Sequence, residues 1–145
     1  MTDILTRLQR LEDLEAIRTL TASYAHAVDK GTNGKQVNFD LLPSMFAPDA
    51  RWTSAASKAD ARGRDNIVAM LRGSTAAVTF AMHSFTNPVI SIEGDTAKAV
   101  WLLWVGINGE GGPNQVYQNE ELTYVRGADG WLIQSIDLHF GQMLK

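Results

Sequence analysis

The chain has 145 residues and no cysteine. Without cysteine there can be no disulfide bonds, thiolate nucleophiles, or cysteine-ligated zinc or iron–sulfur centres. A chain of this kind fits a reducing compartment, so we expect a cytoplasmic protein.

Basic runs and long apolar runs are also missing. Lysine and arginine number 13 against 16 acidic residues, giving a net charge of −3, so the sequence lacks the positive surface that nucleic-acid binding requires. No segment stays apolar for the roughly 18 residues that a membrane span needs. The N-terminal stretch MTDILTRLQRLEDLEAIR has charges at helical spacing, unlike a signal peptide. We therefore expect neither nucleic acid nor membrane as a partner.

The composition is that of a soluble globular protein, with 45% hydrophobic and 20% charged residues. A chain of this length can bury roughly two-thirds of its unfolded surface around one core. We expect a single domain over residues 1–145.

The N-terminal region is predicted to be helical over residues 4–28. Apolar residues recur there at intervals of three and four, which indicates one long amphipathic helix or two in succession. Thr2 or Asp3 can cap its start, and Lys30 and Gly31 supply a cation and a stop at its end. Asp29 then falls in the last turn.

The middle of the chain is predicted to contain short elements. A helix is expected at 40–46, with Pro43 in its first turn, followed by a strand at 50–53 that turns Trp52 inward. A polar loop at 54–63 could act as a flap. A second helix is expected at 65–73, capped by Asp65.

From residue 79 onward the pattern is typical of strands joined by hairpins. Four strands are predicted, at 79–93, 96–108, 115–126 and 131–140. The class is therefore α+β, a curved antiparallel sheet with helices packed on one face. Coiling of such a sheet leaves a cavity at one end, where we expect an apolar small molecule to bind, with Trp52 and Phe85 as candidates for packing against it.

His83 is the residue of greatest interest for chemistry. It is a lone histidine in a predicted strand, sharing one face with Ala81 and Phe85, and such a residue is more often structural than catalytic. With a free pKa near about 6.5, it is the best available general base if a carboxylate orients it.

Asp29 is a candidate for that carboxylate. A negative charge at a helix C-terminus opposes the helix dipole, which is weak evidence for a site. Tyr24 lies about 140° away around an ideal helix, so the two converge only if the last turn is loosened or the pocket straddles the helix. His26 with Asp29, and Asp137 with His139, could instead form local ion pairs.

No metal site is predicted, because the histidines and carboxylates lack the spacing of known ligand motifs. The glycines at 109, 111 and 112 lack the Lys-Ser/Thr of a phosphate loop and are expected to form a hairpin turn.

The sequence resembles the SnoaL-like branch of the NTF2-like superfamily over nearly its whole length. The segments concerned are LEDLEAIRTLTASYAHAVDKG, FAPDARW, GRDNIVAML, MHSFTNPVISIEGDTAKAVW and ELTYVRGADGWLIQS. Within that branch it is similar to the scytalone dehydratases, lindane dehydrochlorinases and bile acid 7α-dehydratases. The resemblance implies a cone-shaped α+β barrel with helices on the concave face of the sheet.

The resemblance also implies elimination chemistry without a cofactor. Asp29 and His83 match a catalytic dyad of these enzymes, and Tyr24 matches a tyrosine of the bile acid enzyme. The dehydrochlorinases have a lysine in place of Tyr24 and an arginine in place of Ile136. A homo-oligomer, either dimer or trimer, is implied as well. Two alternatives stay open at this point, namely an isomerase that uses the same base and a non-catalytic module that binds a ligand or partner.

Overall fold

The computed structural model describes residues 3–145, in which helices come first and a long meander of strands follows. The helices are α1 (Ile4–Val28), α2 (Leu42–Met45) and α3 (Arg64–Ser74), with a short 3₁₀ turn at Thr32–Gly34. The strands are β1 (Phe46–Ser54), β2 (Ala59–Arg62), β3 (Phe80–Glu93), β4 (Thr96–Gly109), β5 (Gly112–Gly127) and β6 (Gly130–Leu144). They form one sheet in the order β2-β1-β6-β5-β4-β3.

Helix α1 is one continuous helix with the predicted bounds. Its second half buries Ile17, Tyr24, Ala27 and Val28 against the sheet, as the apolar spacing requires. Asp3 occupies the N-cap position without a side-chain hydrogen bond, so its predicted capping role is wrong. The alternative cap, Thr2, lies outside the described residues.

The middle of the chain is more regular than the sequence predicts. The first short helix is only four residues long, with Pro43 in its first turn, and the strand that follows begins at Phe46 and runs through Pro48. Part of the expected 54–63 loop is strand β2, which pairs with β1. Helix α3 begins after Gly63 and has no side-chain cap, so the capping role of Asp65 is also wrong.

The four predicted strands and their three hairpins are confirmed, as is the α+β class with helices on the concave face. The sheet is curved but not closed, because β2 and β3 remain as its two edges. One pairing is parallel rather than antiparallel, since β1 lies alongside β6. Strand alternation turns Trp101, which is 4% exposed, toward the core, whereas Trp104 lies on the opposite face.

A buried carboxylate ties the first half of α1 to the sheet. Asp13 accepts two hydrogen bonds of 2.9 Å from the Arg126 guanidinium and a third, also 2.9 Å, from Trp131 Nε1. The bonds from Arg126, opposed by burial, lower the pKa of Asp13 to about 2. This anchor sets the angle at which α1 crosses the sheet, and hence where its C-terminus arrives.

Within residues 3–145, none of the helices combines the length and the apolar composition that crossing a membrane requires.

Candidate active site

The C-terminus of α1 is attached to the free edge of strand β3. Lys30 and Ala81 exchange two backbone hydrogen bonds, of 3.0 and 2.9 Å. Because β3 is an edge strand, its outward backbone groups are free to make these bonds. Gly31, at φ 97°, follows immediately and passes close to the Thr79 carbonyl. This junction brings the end of the helix to the level of His83.

Asp29 leaves the helix at this junction. Its backbone is extended (φ −68°, ψ 148°), so it is the C-cap residue rather than part of a regular last turn. One carboxylate oxygen, Oδ1, accepts a 2.8 Å hydrogen bond from the His83 backbone N–H. The same oxygen lies 2.9 Å from Nδ1 of the His83 ring. The sequence thus predicted the partners correctly, and the loosened helix end explains how they meet.

This pairing assigns the tautomer of the His83 ring. An ionised carboxylate can only accept hydrogen bonds, so Nδ1 must be the protonated nitrogen. Nε2 is then left with a free lone pair. The His83 side chain is 23% exposed and that of Asp29 is 14% exposed, which leaves the ring open to a ligand on one side. Chemically, the pair is an oriented base whose protonated form would be stabilised by a neighbouring negative charge.

His83 lines a cleft of about 420 Å³ between α1 and β3. Phe85 and Trp101 lie on the β-sheet side of this cleft, and α1 forms the other side with Arg18, Ala22, Ala25 and His26. Wider depressions of about 720 and 690 Å³ lie elsewhere on the molecule, but neither His83 nor Asp29 lines them. The cleft beside His83 is therefore the candidate site on chemical grounds.

Tyr24 lies deeper than the other predicted site residues. It is 5% exposed, and no hydrogen bond joins it to Asp29 or His83 in the described part of the chain. Its hydroxyl accepts a long hydrogen bond, 3.4 Å, from Nε1 of Trp52. Burial raises the pKa of Tyr24 well above its usual value, so the phenol is neutral.

Phe85 connects the cleft to this deeper region. Its ring packs edge-on against Tyr24, with centroids 6.3 Å apart, and against Trp101 at 5.9 Å. Phe85 lines the cleft, whereas Trp52 contacts Tyr24 and is not part of the cleft wall. The two predicted packing residues thus both contact Tyr24, and Phe85 is the one that lines the cleft.

Glu120, a buried acid opposite a residue of the cleft wall, was not singled out from the sequence. It lies on β5 with its side chain turned inward, 3% exposed, directly opposite Trp101 on β4. Burial raises its pKa to about 8. A signal was present in the sequence, because Glu120 shares strand parity with Leu122 and Tyr124, which are core residues.

Of the two local ion pairs considered from sequence, one forms away from the cleft and the other does not form within residues 3–145. Asp137 and His139 form an exposed ion pair with an Nε2–Oδ2 distance of 3.3 Å. His26 is exposed at the cleft rim and makes no salt bridge with Asp29 in residues 3–145. Over the same residues, no group of three or more His, Asp and Glu side chains is arranged to hold a metal ion.

Comparison with known proteins gives a family and a set of structural relatives. The model of the family described as "SnoaL-like domain" matches residues 9–137. No curated protein matches the sequence. An NTF2-like protein with a cystatin-like fold from Novosphingobium aromaticivorans is 26% identical, with a TM-score of 0.78 over 97% of this chain and 91% of that one.

Two further solved structures have names that refer to an activity. A candidate scytalone dehydratase from Novosphingobium aromaticivorans is 18% identical, with a TM-score of 0.81 over 93% of this chain and 88% of that one. The hexachlorocyclohexane dehydrochlorinase LinA-type3 from Novosphingobium barchaimii is also 18% identical, with a TM-score of 0.83 over 95% and 92% of the two chains. At these identities the likeness establishes a shared fold.

Proposed function

Since this chain belongs to the SnoaL-like domain family, we propose that it is a cofactor-independent lyase that eliminates water from an apolar cyclic small molecule. The observation that carries this proposal is the contact between Asp29 and His83 at the wall of a ligand-sized cleft. Two structural relatives are named for eliminations, a dehydration and a dehydrochlorination. Those names agree with the proposal, and the geometry of the Asp29–His83 pair supports it independently.

In the proposed reaction, Nε2 of His83 removes a proton from a carbon of the substrate. The electron pair of that C–H bond forms the new double bond, and the departing hydroxyl takes the bonding electrons of its C–O bond. The imidazolium returns its proton to this hydroxyl, which leaves as water. Asp29 holds the ring in position through Nδ1 and stabilises its positive charge during the reaction.

Tyr24 is proposed as the donor to the leaving hydroxyl or to a developing oxyanion. Its phenol is neutral, and Phe85, whose ring contacts it, lies in the cleft wall. Phe85 and Trp52 would pack against the substrate. Phe85 and Trp101 offer apolar surface to a hydrocarbon ring system, and polar residues such as Asn87 in the same cleft can contact its few polar groups.

An isomerase is the second candidate, because the same proton abstraction without loss of hydroxyl moves a double bond. It is favoured by Glu120, a buried acid that could stabilise an enol without any leaving group. Detection of water release or of double-bond migration in the product distinguishes the two.

We further propose that the protein is a homo-oligomer. Large apolar side chains are exposed on the outward face of the sheet, including Met82, Leu102 and Tyr117. A face of this kind is normally covered by a partner. A second copy of the chain is the occupant that we propose, in a dimer or trimer.

The lyase proposal is tested by screening cyclic hydroxy ketones for dehydration. With any substrate found, His83→Ala should lower turnover by roughly 10²- to 10⁴-fold, because the general base is lost. His139→Ala is the matched control, since it removes a histidine that lies outside the cleft. If the His83 variant keeps full activity and the control does too, the assignment fails and a ligand-binding module becomes the better description.

A further inference from the structure

Glu120 has an unusual environment for a carboxyl group. Its Oε1 accepts a single long hydrogen bond, 3.4 Å, from the Gln118 amide. Its other oxygen, Oε2, is fully buried and has no hydrogen-bond partner among residues 3–145. On the neighbouring strands, its side chain faces Trp101 and Leu138. A buried polar atom left unpaired is costly, so proteins rarely keep one without a use.

The protonation state of Glu120 indicates what would pair with it. Because burial raises its pKa to about 8, the carboxyl group is mainly neutral at pH 7 and carries an O–H. A neutral acid in apolar surroundings is a hydrogen-bond donor, and its natural partner is an acceptor such as a carbonyl oxygen. A cation or a metal ion would instead require the ionised form.

Glu120 also lies close to the other groups of the site. Its charge, when present, contributes to raising the pKa of both Tyr24 and Tyr124, although burial is the larger cause for each. Trp101, its partner across the β4–β5 pairing, forms part of the wall of the cleft that contains His83. The acid therefore lies just behind the cleft wall.

Two aromatic rings, Trp101 and Phe85, form the cleft wall in front of Glu120, and a hydrogen bond holds the first of them in place. Trp101 is fixed by a 3.0 Å hydrogen bond from its Nε1 to the Tyr124 hydroxyl, which also bonds to Thr21 at 2.7 Å. Phe85 makes edge-on ring contacts to Tyr24 and Trp101 and packs against the core. Its ring must turn aside for a ligand oxygen to reach the interior.

We propose that Glu120 is a catalytic acid that donates its proton to the carbonyl oxygen of a cyclic β-hydroxy ketone substrate. This inference rests on the proposed lyase function. Nε2 of His83 removes the proton from the carbon next to the carbonyl, the electron pair moves to the carbonyl oxygen, and that oxygen takes the proton of Glu120 to give an enol.

The second half of the reaction restores both groups. The enol O–H gives its proton back to the Glu120 carboxylate, and the carbonyl re-forms. The electrons of the enol C=C bond form the double bond conjugated with that carbonyl, and the C–O bond to the hydroxyl breaks. His83 gives its proton to the hydroxyl, so water leaves and an unsaturated ketone remains. A base on one side and an acid on the other divide the charge that would otherwise develop on the substrate.

Binding of 2-tetralone tests the acid without knowledge of the natural substrate. This bicyclic ketone has a carbonyl oxygen, and tetralin is the same ring system without it. The wild-type protein should prefer 2-tetralone at pH 6.5. Glu120→Leu should lose about tenfold in affinity for the ketone, the equivalent of one buried hydrogen bond, with no loss for tetralin. Equal affinity of the wild-type protein for the two compounds would overturn the proposal.

The pH dependence of the same binding separates an acid from a mere polar contact. Above a pH of about 8 the wild-type carboxyl ionises and can no longer donate, so ketone affinity should fall. Glu120→Gln keeps the shape and an N–H donor but does not titrate, so its affinity should stay constant across that range. A parallel fall in both proteins would contradict the role of Glu120.

Turnover separates failure of this inference from failure of the proposed function. Glu120→Gln should bind substrate with a nearly unchanged KM and lower kcat by roughly 10²-fold or more, because an amide cannot supply a proton. Full kcat in Glu120→Gln together with a large loss in His83→Ala would overturn the acid and leave the lyase intact. Full kcat in His83→Ala together with a large loss in Glu120→Gln would overturn the lyase mechanism and leave Glu120 as an acid that works with a different base.

Discussion

In the pairing of Asp29 with His83, one carboxylate oxygen of Asp29 accepts hydrogen bonds from two N–H groups of His83. The backbone N–H fixes where the carboxylate lies, and the ring N–H fixes how the imidazole is turned. Both bonds are made before any ligand arrives. A base held in this way loses little freedom when it acts, which is the main advantage of preorganisation.

Asp29→Asn should lower kcat by roughly 10²- to 10⁴-fold while leaving the fold intact. An asparagine can turn its amide toward Nδ1, which would favour the wrong tautomer and cannot stabilise the imidazolium. The measurement is kcat with the substrate found by screening, and a kcat equal to that of the wild-type protein would argue against the pairing.

The sequence alone shows that Asp29, Tyr24 and His83 match a family pattern, and of these the structure brings Asp29 and His83 into contact. It could not say which face of β3 His83 occupies, because that depends on contacts of α1 with the strand edge. Glu120 was missed for a different reason. A single acidic residue at an inward position of a strand is easily taken for an exposed one until the register of β5 is known.

The junction between α1 and β3 is the element on which the site depends. The backbone bridge of Lys30 with Ala81 attaches the helix end, and Gly31 allows the chain to turn away at once. A Cβ on Gly31 would lie 2.5 Å from the Thr79 carbonyl oxygen, and its φ of 97° is unfavourable for other residues.

Gly31→Ala should therefore destabilise the protein by roughly 1–3 kcal/mol and reduce activity, because relief of the clash moves Asp29 away from His83. Urea unfolding and turnover are the measurements. Gly34→Ala is a matched control, since Gly34 also has a positive φ of 77° but nothing lies within 4 Å of the added Cβ. Equal losses in the two variants would show that backbone strain alone, and not the junction, is responsible.

The long elements and the short helices were predictable from sequence, although the bounds of α2 and β1 were not, and β2 was not predicted. Helix α1 and strands β3 to β6 have strong periodicity over many residues, so their existence and order followed directly. Strand β2 spans four residues, and its polar sequence is typical of a loop. Strand β1 runs through Pro48, which is permitted because β1 departs from regular pairing with β6 between Phe46 and Arg51.

At the level of the whole molecule, the sheet separates two surfaces of different character. The concave face holds α1, the core and the candidate site. The outward face exposes apolar residues, among them Leu102 at 45% and Tyr117 at 40%. The proposed association of copies through this face would cover these apolar residues.

Light scattering should accordingly give a mass of two or three times the 15.9 kDa chain. Leu102→Glu places a charge in the middle of the outward face and should shift the protein toward the monomer, because a buried unpaired charge opposes association. His83 and Asp29 are on the other side of the sheet, so their hydrogen bond should survive. A wild-type protein that is monomeric at high concentration would refute the proposed association.

The central claim, that His83 is a carbon-acid base oriented by Asp29, is tested most directly by hydrogen exchange into a ketone. In D₂O, the protons next to the carbonyl of 2-tetralone are replaced by deuterium when a base removes them, and proton NMR follows the loss of signal. The wild-type protein should accelerate this exchange well beyond buffer, His139→Ala should match it, and His83→Ala should fall to the buffer rate. Exchange in His83→Ala at the wild-type rate would contradict the claim.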